Sequence, residues 1–294
     1  MTWAAIALGG NEGDVADTFR TAARQLQQAG CQLVRVADLF ETRPVGDSAG
    51  PGYCNSVLTL QTSLSASDLL SLLQQVERQA GRRSGGHWRP RPLDLDLIAH
   101  GNVVCETAKL TLPHPAAWYR QFVLAPLAQV AGDWVHPWRG VSIDALRRRF
   151  QRRPLRVGVT GTQDTLDELW SQASPFRRDQ VELRKVDSPH ALDAEPVDLL
   201  AWLGPTPAES SDQNSSQAQP GKNPVSTPGG STLAAVSRPS GETGEDQFRD
   251  WPDELRLNAA AWRARDPHWL RYLLQGLLDT PESRGPWWPG SPRG

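Results

Sequence analysis

A chain of 294 residues holds one large or two ordinary domains, with ample material for a core. Its formal net charge of −2 excludes a global field for nucleic acid, so any basic site must be local. Three scattered cysteines (Cys31, Cys54, Cys105) with no CxxC argue against a zinc site and a disulfide framework, and no apolar run could span a membrane, so the reading is a cytoplasmic protein.

Residues 3–8 form a short apolar run, a first strand. Gly9-Gly10-Asn11-Glu12-Gly13 then breaks into a helix with Asp14 as candidate N-cap and Val15, Phe19, Ala22, Ala23 and Leu26 on its apolar face. The glycines lack both the G-x-G-x-x-G and G-x-x-x-x-G-K-[ST] spacings and read as a structural turn. Residues 32–40 alternate as a second strand and 41–52 form a loop. Residues 53–62 make a third strand with Tyr53, Asn55, Val57 and Thr59 on one face. Ser65 or Ser67 caps a second helix whose Leu69, Leu73, Val76 and Ala80 are apolar. A charged glycine-bearing loop leads into a fourth strand. The order β-α-β-β-α-β is that of two split βαβ units, so the expected class is α+β: a ferredoxin-like antiparallel sheet with helices on one face.

The fourth strand carries the chemistry. In His87-Trp88-Arg89-Pro90-Arg91-Pro92-Leu93-Asp94-Leu95-Asp96-Leu97, the leucines point to one face and the two aspartates to the other. Two positions along a strand sets the carboxylates roughly 6.6 Å apart at the backbone. Like charges at that spacing repel by about 2 kcal/mol at an effective dielectric near 20. A divalent cation reverses that sign, and carboxylate oxygens suit magnesium. The arginines and tryptophan just upstream offer planar donors and a stacking surface for phosphates and a flat heterocycle.

Beyond a turn at His100-Gly101-Asn102, a short segment runs to Leu112 and Pro113-His114-Pro115. Residues 116–131 are helical in part, and 143–150 close the first domain, 1–153. The arginines at 147–149 read as cations at a helix C-terminus rather than a nucleic-acid site. A small α/β unit occupies 154–204, with strands at 155–159, 181–186 and 197–203 and a helix at 164–172. Residues 205–247 are rich in Ser, Pro, Gly and Gln and read as a disordered linker. A helical segment, 248–280, comprises helices at 251–265 and 267–279 and is expected to pack on 154–204. Residues 281–294 read as a loose tail. Seven of the twelve tryptophans follow residue 150, an excess without a chemical account at this level.

The first 150 residues resemble the 6-hydroxymethyl-7,8-dihydropterin pyrophosphokinases of folate synthesis. The matching pieces, in order, are residues 7–14, Glu41-Thr42-Arg43-Pro44-Val45-Gly46, Tyr53-Cys54-Asn55, Gln74-Gln75-Val76-Glu77, Gly81-Arg82, residues 88–96, Pro113-His114 and Arg120-Gln121-Phe122. The resemblance implies transfer of a pyrophosphoryl group from ATP to the pterin hydroxymethyl, releasing AMP. It implies Asp94 and Asp96 as ligands of two Mg²⁺ ions, and Arg82 and Arg91 as the phosphate-neutralising pair. It puts Thr42, Val45, Tyr53, Asn55, Trp88 and Phe122 around the pterin, with Trp88 on a closing loop. Gln74, Glu77, Leu97, Lys109, Thr111, His114 and Arg120 would then face ATP. Gly10 stands where the family usually has serine, a change expected to be tolerated in a turn; His87 and Arg89 replace an arginine and a glycine. The partners implied are small molecules only, for a monomer whose C-terminal unit mediates an interaction. A competing reading is a catalytically impaired pterin- or nucleotide-binding module with a C-terminal interaction domain.

Overall fold

The computed structural model describes residues 1–43, 52–81, 91–160, 167–171, 176–186, 191–194, 196–202, 256–258 and 269–289. Its N-terminal half follows from alternation and capping. Strand β1 (Thr2–Gly10) runs into helix α1 (Val15–Gln28), which is capped by the Asp14 carboxylate accepting from the Asp17 amide at 2.9 Å. Strands β2 (Gln32–Val36), β3 (Phe40–Thr42) and β4 (Tyr53–Thr62) lead to helix α2 (Ala66–Gln79) and strand β5 (Asp94–His100). Of the two candidate serines, Ser65 caps α2, accepting from the Asp68 amide at 3.1 Å.

The expected single strand over 32–40 is two. Ala37-Asp38-Leu39 interrupts it, so β2 and β3 lie end to end along β4, pairing with its far and near halves respectively. The part read as a loop therefore starts later, after Thr42. All pairings in this sheet are antiparallel, with β1 between β4 and β5. Ala4, Ile6, Leu8, Leu58, Leu93 and Leu95 pack on one face against Phe19 of α1 and Leu69 and Leu73 of α2.

Helices cover both faces of the sheet rather than one. The small residues Ala5, Ala7 and Val57 leave room on the second face for helix α3 (Gln121–Ala131), which brings Val123, Leu124 and Leu127. Before it comes a two-stranded hairpin, β6 (Cys105–Glu106) with β7 (Thr111–Leu112), within the short segment that runs to Leu112. Helix α4 (Ile143–Phe150) packs beside α3 and is capped by Ser142.

The second unit is a parallel sheet of β8 (Leu155–Val159), β9 (Val181–Lys185), β10 (Leu199–Trp202) and β11 (Arg256–Asn258), in the order β11-β10-β8-β9. The short helix α5 (Ala191–Ala194) precedes β10. Residues 256–258 were expected within a helix. They are a strand because parallel pairing with Leu200–Trp202 offers the backbone ladder partners that outweigh weak local propensity. Helix α6 (Trp269–Leu278) falls inside the expected 267–279. The linker at 205–247 lies outside the described residues.

The tail does not hang loose. Strand β12 (Glu282–Ser283) pairs antiparallel with β3, and Trp287 is 4% exposed, packed with the α1–α2 face. A tryptophan between prolines and glycines looks unstructured from composition, yet burying one indole outweighs that bias. Residues 290–294 lie outside the described part.

Candidate active site

Three adjacent strands bring the sequence-derived residues onto one row. Asn55 of β4 stands opposite Gly9 of β1, and Gly9 stands opposite Asp94 of β5; Asp96 lies opposite Ala7. Two strand spacings separate Asn55 from Asp94, about 10 Å between Cα atoms. The positions between them carry a glycine and an alanine, so the floor is low. A β-carbon at Gly9 would come within 2.9 Å of Cε1 of Tyr53, whose ring therefore lies across the glycine.

At the β5 end, Asp94 and Asp96 are half-buried and face away from Leu93, Leu95 and Leu97, which enter the core. Arg91 donates through Nη1 to Oδ1 of Asp94 at 3.2 Å. Asn11 fixes this arginine's backbone: its amide donates to the Arg91 carbonyl at 3.0 Å, and its Oδ1 accepts from the Arg91 amide at 2.8 Å. Gly10 permits the approach, since a β-carbon there would sit 2.7 Å from the Pro92 carbonyl oxygen. A serine β-carbon would meet that backbone oxygen, so glycine is the residue that this close approach accommodates.

Glu77 of α2 is buried, and its Oε1 accepts from the Leu95 amide at 2.8 Å, between the two aspartates. It thus acts on the strand that carries the carboxylates. Gln74, one turn earlier, is exposed. Leu97 is buried with its side chain in the core, so only its backbone can meet a ligand.

His114 sits beside this end of the row. Its ring is pushed below the ordinary histidine range chiefly by burial, while the carboxylates of Asp96 and Asp94 pull it up and Arg120 pushes it down. Nδ1 accepts from the Ala116 amide at 3.2 Å, which leaves the proton on Nε2. Arg120, the residue before α3, places its guanidinium carbon 5.6 Å from the Phe122 ring centre and 5.9 Å from that of Tyr119. Thr111 is half-buried in β7, and Lys109 is exposed in the turn before it.

At the β4 end, Thr42 and Asn55 are buried. The Asn55 amide donates through Nδ2 to Thr42 Oγ1 at 3.0 Å and to the Tyr53 carbonyl at 3.4 Å. The Thr42 hydroxyl lies 3.2 Å from that same carbonyl. This arrangement turns Asn55 Oδ1 away from Thr42. Phe122 is half-buried at the start of α3, the helix packed on this face. Val45, Arg82 and Trp88 lie outside the described residues. Asn11, Gly9 and Gly10 were missed as site-building residues. Their signal was the run Gly9-Gly10-Asn11 itself, read only as a turn.

Residues 5–132 match the family model of 7,8-dihydro-6-hydroxymethylpterin-pyrophosphokinase (HPPK). A Synechocystis 2-amino-4-hydroxy-6-hydroxymethyldihydropteridine pyrophosphokinase is 43% identical over 141 residues, 48% of this chain and 72% of that protein. The chain belongs to the HPPK family. A Haemophilus influenzae protein of the same name is 35% identical over 138 residues, 47% of this chain and 86% of its own length. An Arabidopsis thaliana mitochondrial folate synthesis bifunctional protein is 38% identical over 177 residues, but the match spans only 32% of it. Among solved structures, a Plasmodium falciparum HPPK-DHPS aligns with a TM-score of 0.41 at 10% identity, over 69% of this chain and 67% of that one. Among the described residues no helix is long and apolar enough to cross a membrane.

Proposed function

We propose that the Asn55–Gly9–Asp94 row is where this HPPK carries out the family's reaction. The chain transfers pyrophosphate from ATP to 6-hydroxymethyl-7,8-dihydropterin, giving the pterin diphosphate and AMP in folate synthesis. The observation that carries the placement is the row itself: an amide acceptor and an aromatic ring at one end, two carboxylates at the other, and a low floor between them. A flat heterocycle seated at Asn55 and Tyr53 would extend its hydroxymethyl arm toward Asp94. The strand order β2-β4-β1-β5, all antiparallel, supports reading this sheet as ferredoxin-like.

The donor set fits magnesium. Among the described residues no group of three or more His, Cys, Asp or Glu converges as an all-protein metal cage. Asp94 and Asp96 share a face at a half-buried edge, and Mg²⁺ is commonly held by one or two carboxylates completed by substrate phosphates and water. These two residues would hold two ions, which when bound supply charge neutralisation along the triphosphate. The remaining work falls to the protein. Arg91, with Arg82, would neutralise phosphate oxygens with planar donors. Glu77 keeps Leu95, and so the spacing of the carboxylates, in place. His114 Nε2 and the Arg120 guanidinium would donate to the nucleotide, with Gln74, Lys109, Thr111 and the Leu97 backbone around it. Asn55 and Thr42 would orient the pterin edge, with Tyr53, Phe122, Val45 and Trp88 enclosing its faces.

In this reading 1–153 is the catalytic region, 154–204 with 248–280 an accessory unit and 205–247 a linker. The partners are small molecules, and the protein is a cytoplasmic monomer. The test is AMP release from ATP and the pterin by Asp94→Ala and Asp96→Ala. Each should lose magnesium-dependent turnover while the melting temperature stays within a few degrees of wild type. Undiminished turnover in both would refute the placement. AMP release by the parent chain would decide against the impaired-module reading, which requires that it bind pterin without releasing AMP.

A further inference from the structure

The break at Ala37-Asp38-Leu39 leaves an exposed sheet edge whose backbone groups need partners. The chain supplies them from its own far end. The Arg284 amide donates to the Leu39 carbonyl at 2.7 Å and the Leu39 amide to the Gly285 carbonyl at 2.9 Å. Gly285, at φ +86, turns the chain out of β12. Trp287 then inserts edge-on against Phe19, ring centres 5.4 Å apart, and its Nε1 donates to the Ala37 carbonyl at 3.0 Å and to Ser56 Oγ at 2.9 Å. Arg20 Nε donates back to the Trp287 carbonyl at 2.9 Å.

The same strap reaches the stems of the segment between β3 and β4. Arg284 Nε donates to Glu41 Oε2 at 2.7 Å. The other oxygen of Glu41 overlies Gly52, where a β-carbon would lie 2.6 Å from it. One guanidinium thus ties Glu41, on the outgoing stem, and through it Gly52 on the returning one. Each is one residue from the Thr42–Tyr53 pair, and Tyr53 is two from Asn55. We propose that residues 282–287 are a built-in clamp on the pterin end of the site, with Arg284 and Trp287 as positioning residues for the transfer reaction. They touch no reacting atom; they hold the register in which Thr42 accepts from Asn55. This inference rests on the pterin seat at Thr42 and Asn55 proposed above.

Mere protection of a sheet edge would also use these bonds, and kinetics separate the two roles. Steady-state AMP formation is measured on full-length Arg284→Ala, Arg284→Lys, Trp287→Ala and Asn55→Ala, varying pterin and ATP separately, with melting curves alongside. Arg284→Ala should raise the pterin KM about fivefold, as expected for one lost charge-assisted hydrogen bond, with the ATP KM changed less than about twofold. Arg284→Lys should recover most of that loss. Trp287→Ala should show the same selective rise together with a lower melting temperature. If Asn55→Ala raises the pterin KM and both strap variants leave it unchanged, whatever their melting temperatures, the clamp is wrong and the seat stands. Equal rises in the KM of both substrates also overturn the clamp. If Asn55→Ala leaves the pterin KM unchanged, the seat itself is wrong and the clamp falls with it.

Discussion

Glu77 offers a decisive perturbation because two roles for it make opposite predictions. The resemblance puts it at the nucleotide; the geometry commits its Oε1 to the Leu95 amide at 2.8 Å, in a buried position. A hydrogen bond to a charged acceptor contributes about 1.5–3 kcal/mol, and removing the acceptor also strands a donor. Taking about 2 kcal/mol, Glu77→Ala should lower the melting temperature by about 4–8 °C for a cooperative unit of this size. If the loosened strand carries Asp94 and Asp96 out of register, the same energy appears as about a thirtyfold loss in kcat/KM, with half-maximal rate reached at higher magnesium. Glu77→Gln keeps an acceptor oxygen at the same reach and should retain about half the stability, because a neutral bond contributes about 1 kcal/mol. The assay is thermal unfolding beside initial AMP-formation rates over a magnesium titration. Gln as damaging as Ala for rate, with neither affecting stability, would refute the strand-positioning argument and return Glu77 to the substrate.

Two further substitutions test the surroundings. Gly10→Ser, toward the residue usual in the family, should destabilise this chain by about 1–3 kcal/mol, because a new β-carbon meets the Pro92 carbonyl oxygen at 2.7 Å; an unchanged melting curve refutes the close approach. Asp279 at the end of α6 is raised from 3.8 to about 6, first by burial, with the Thr280 amide and Arg43 opposing. A raised folded pKa means stability present below about pH 4 and lost as pH rises through about 6. Asp279→Asn should therefore stabilise at neutral pH by about 1 kcal/mol, after discounting for partial exposure, and do nothing near pH 4. An equal effect at both pH values would contradict the burial argument.

Residue alternation and helix periodicity were enough to place β1, β4, β5, α1 and α2, because each buries a continuous apolar stripe that local spacing reveals. The two carboxylates were legible for the same reason: Leu93, Leu95 and Leu97 force Asp94 and Asp96 to the other face. The split of residues 32–40 was not, because its cause is a distant segment that bonds Ala37 and Leu39. Glu77 illustrates the same limit. On a helical wheel it adjoins the apolar face beside Val76, and nothing local says that it will find an amide on β5. Local pattern misled most after residue 250: residues 256–258, expected in a helix, and 282–283, expected in a loose tail, are strands ordered by tertiary pairing.

Two of the seven tryptophans after residue 150 have a structural account. Trp269 is buried in the cluster that joins α3, α4, α6 and the parallel sheet, on the second face of the HPPK sheet. Trp287 is buried in the other cluster, with α1 and α2. Between them the chain runs from α6 around the β3 edge, so its C-terminal end grips both faces of one sheet. Gly276 of α6 faces Arg120, 3.9 Å from its Cγ to a β-carbon built there, and Arg153 Nη2 donates to the Leu278 carbonyl at 3.3 Å. An accessory unit tethered as a separate bead would leave the HPPK core sealed on its own. Here each face of that core is completed by an aromatic residue from beyond residue 268. Cutting the chain near Pro154 would remove Trp269 from one face of the HPPK sheet and Trp287 from the other, so residues 1–153 alone should melt below the full chain, and an equal melting temperature would refute this packing argument.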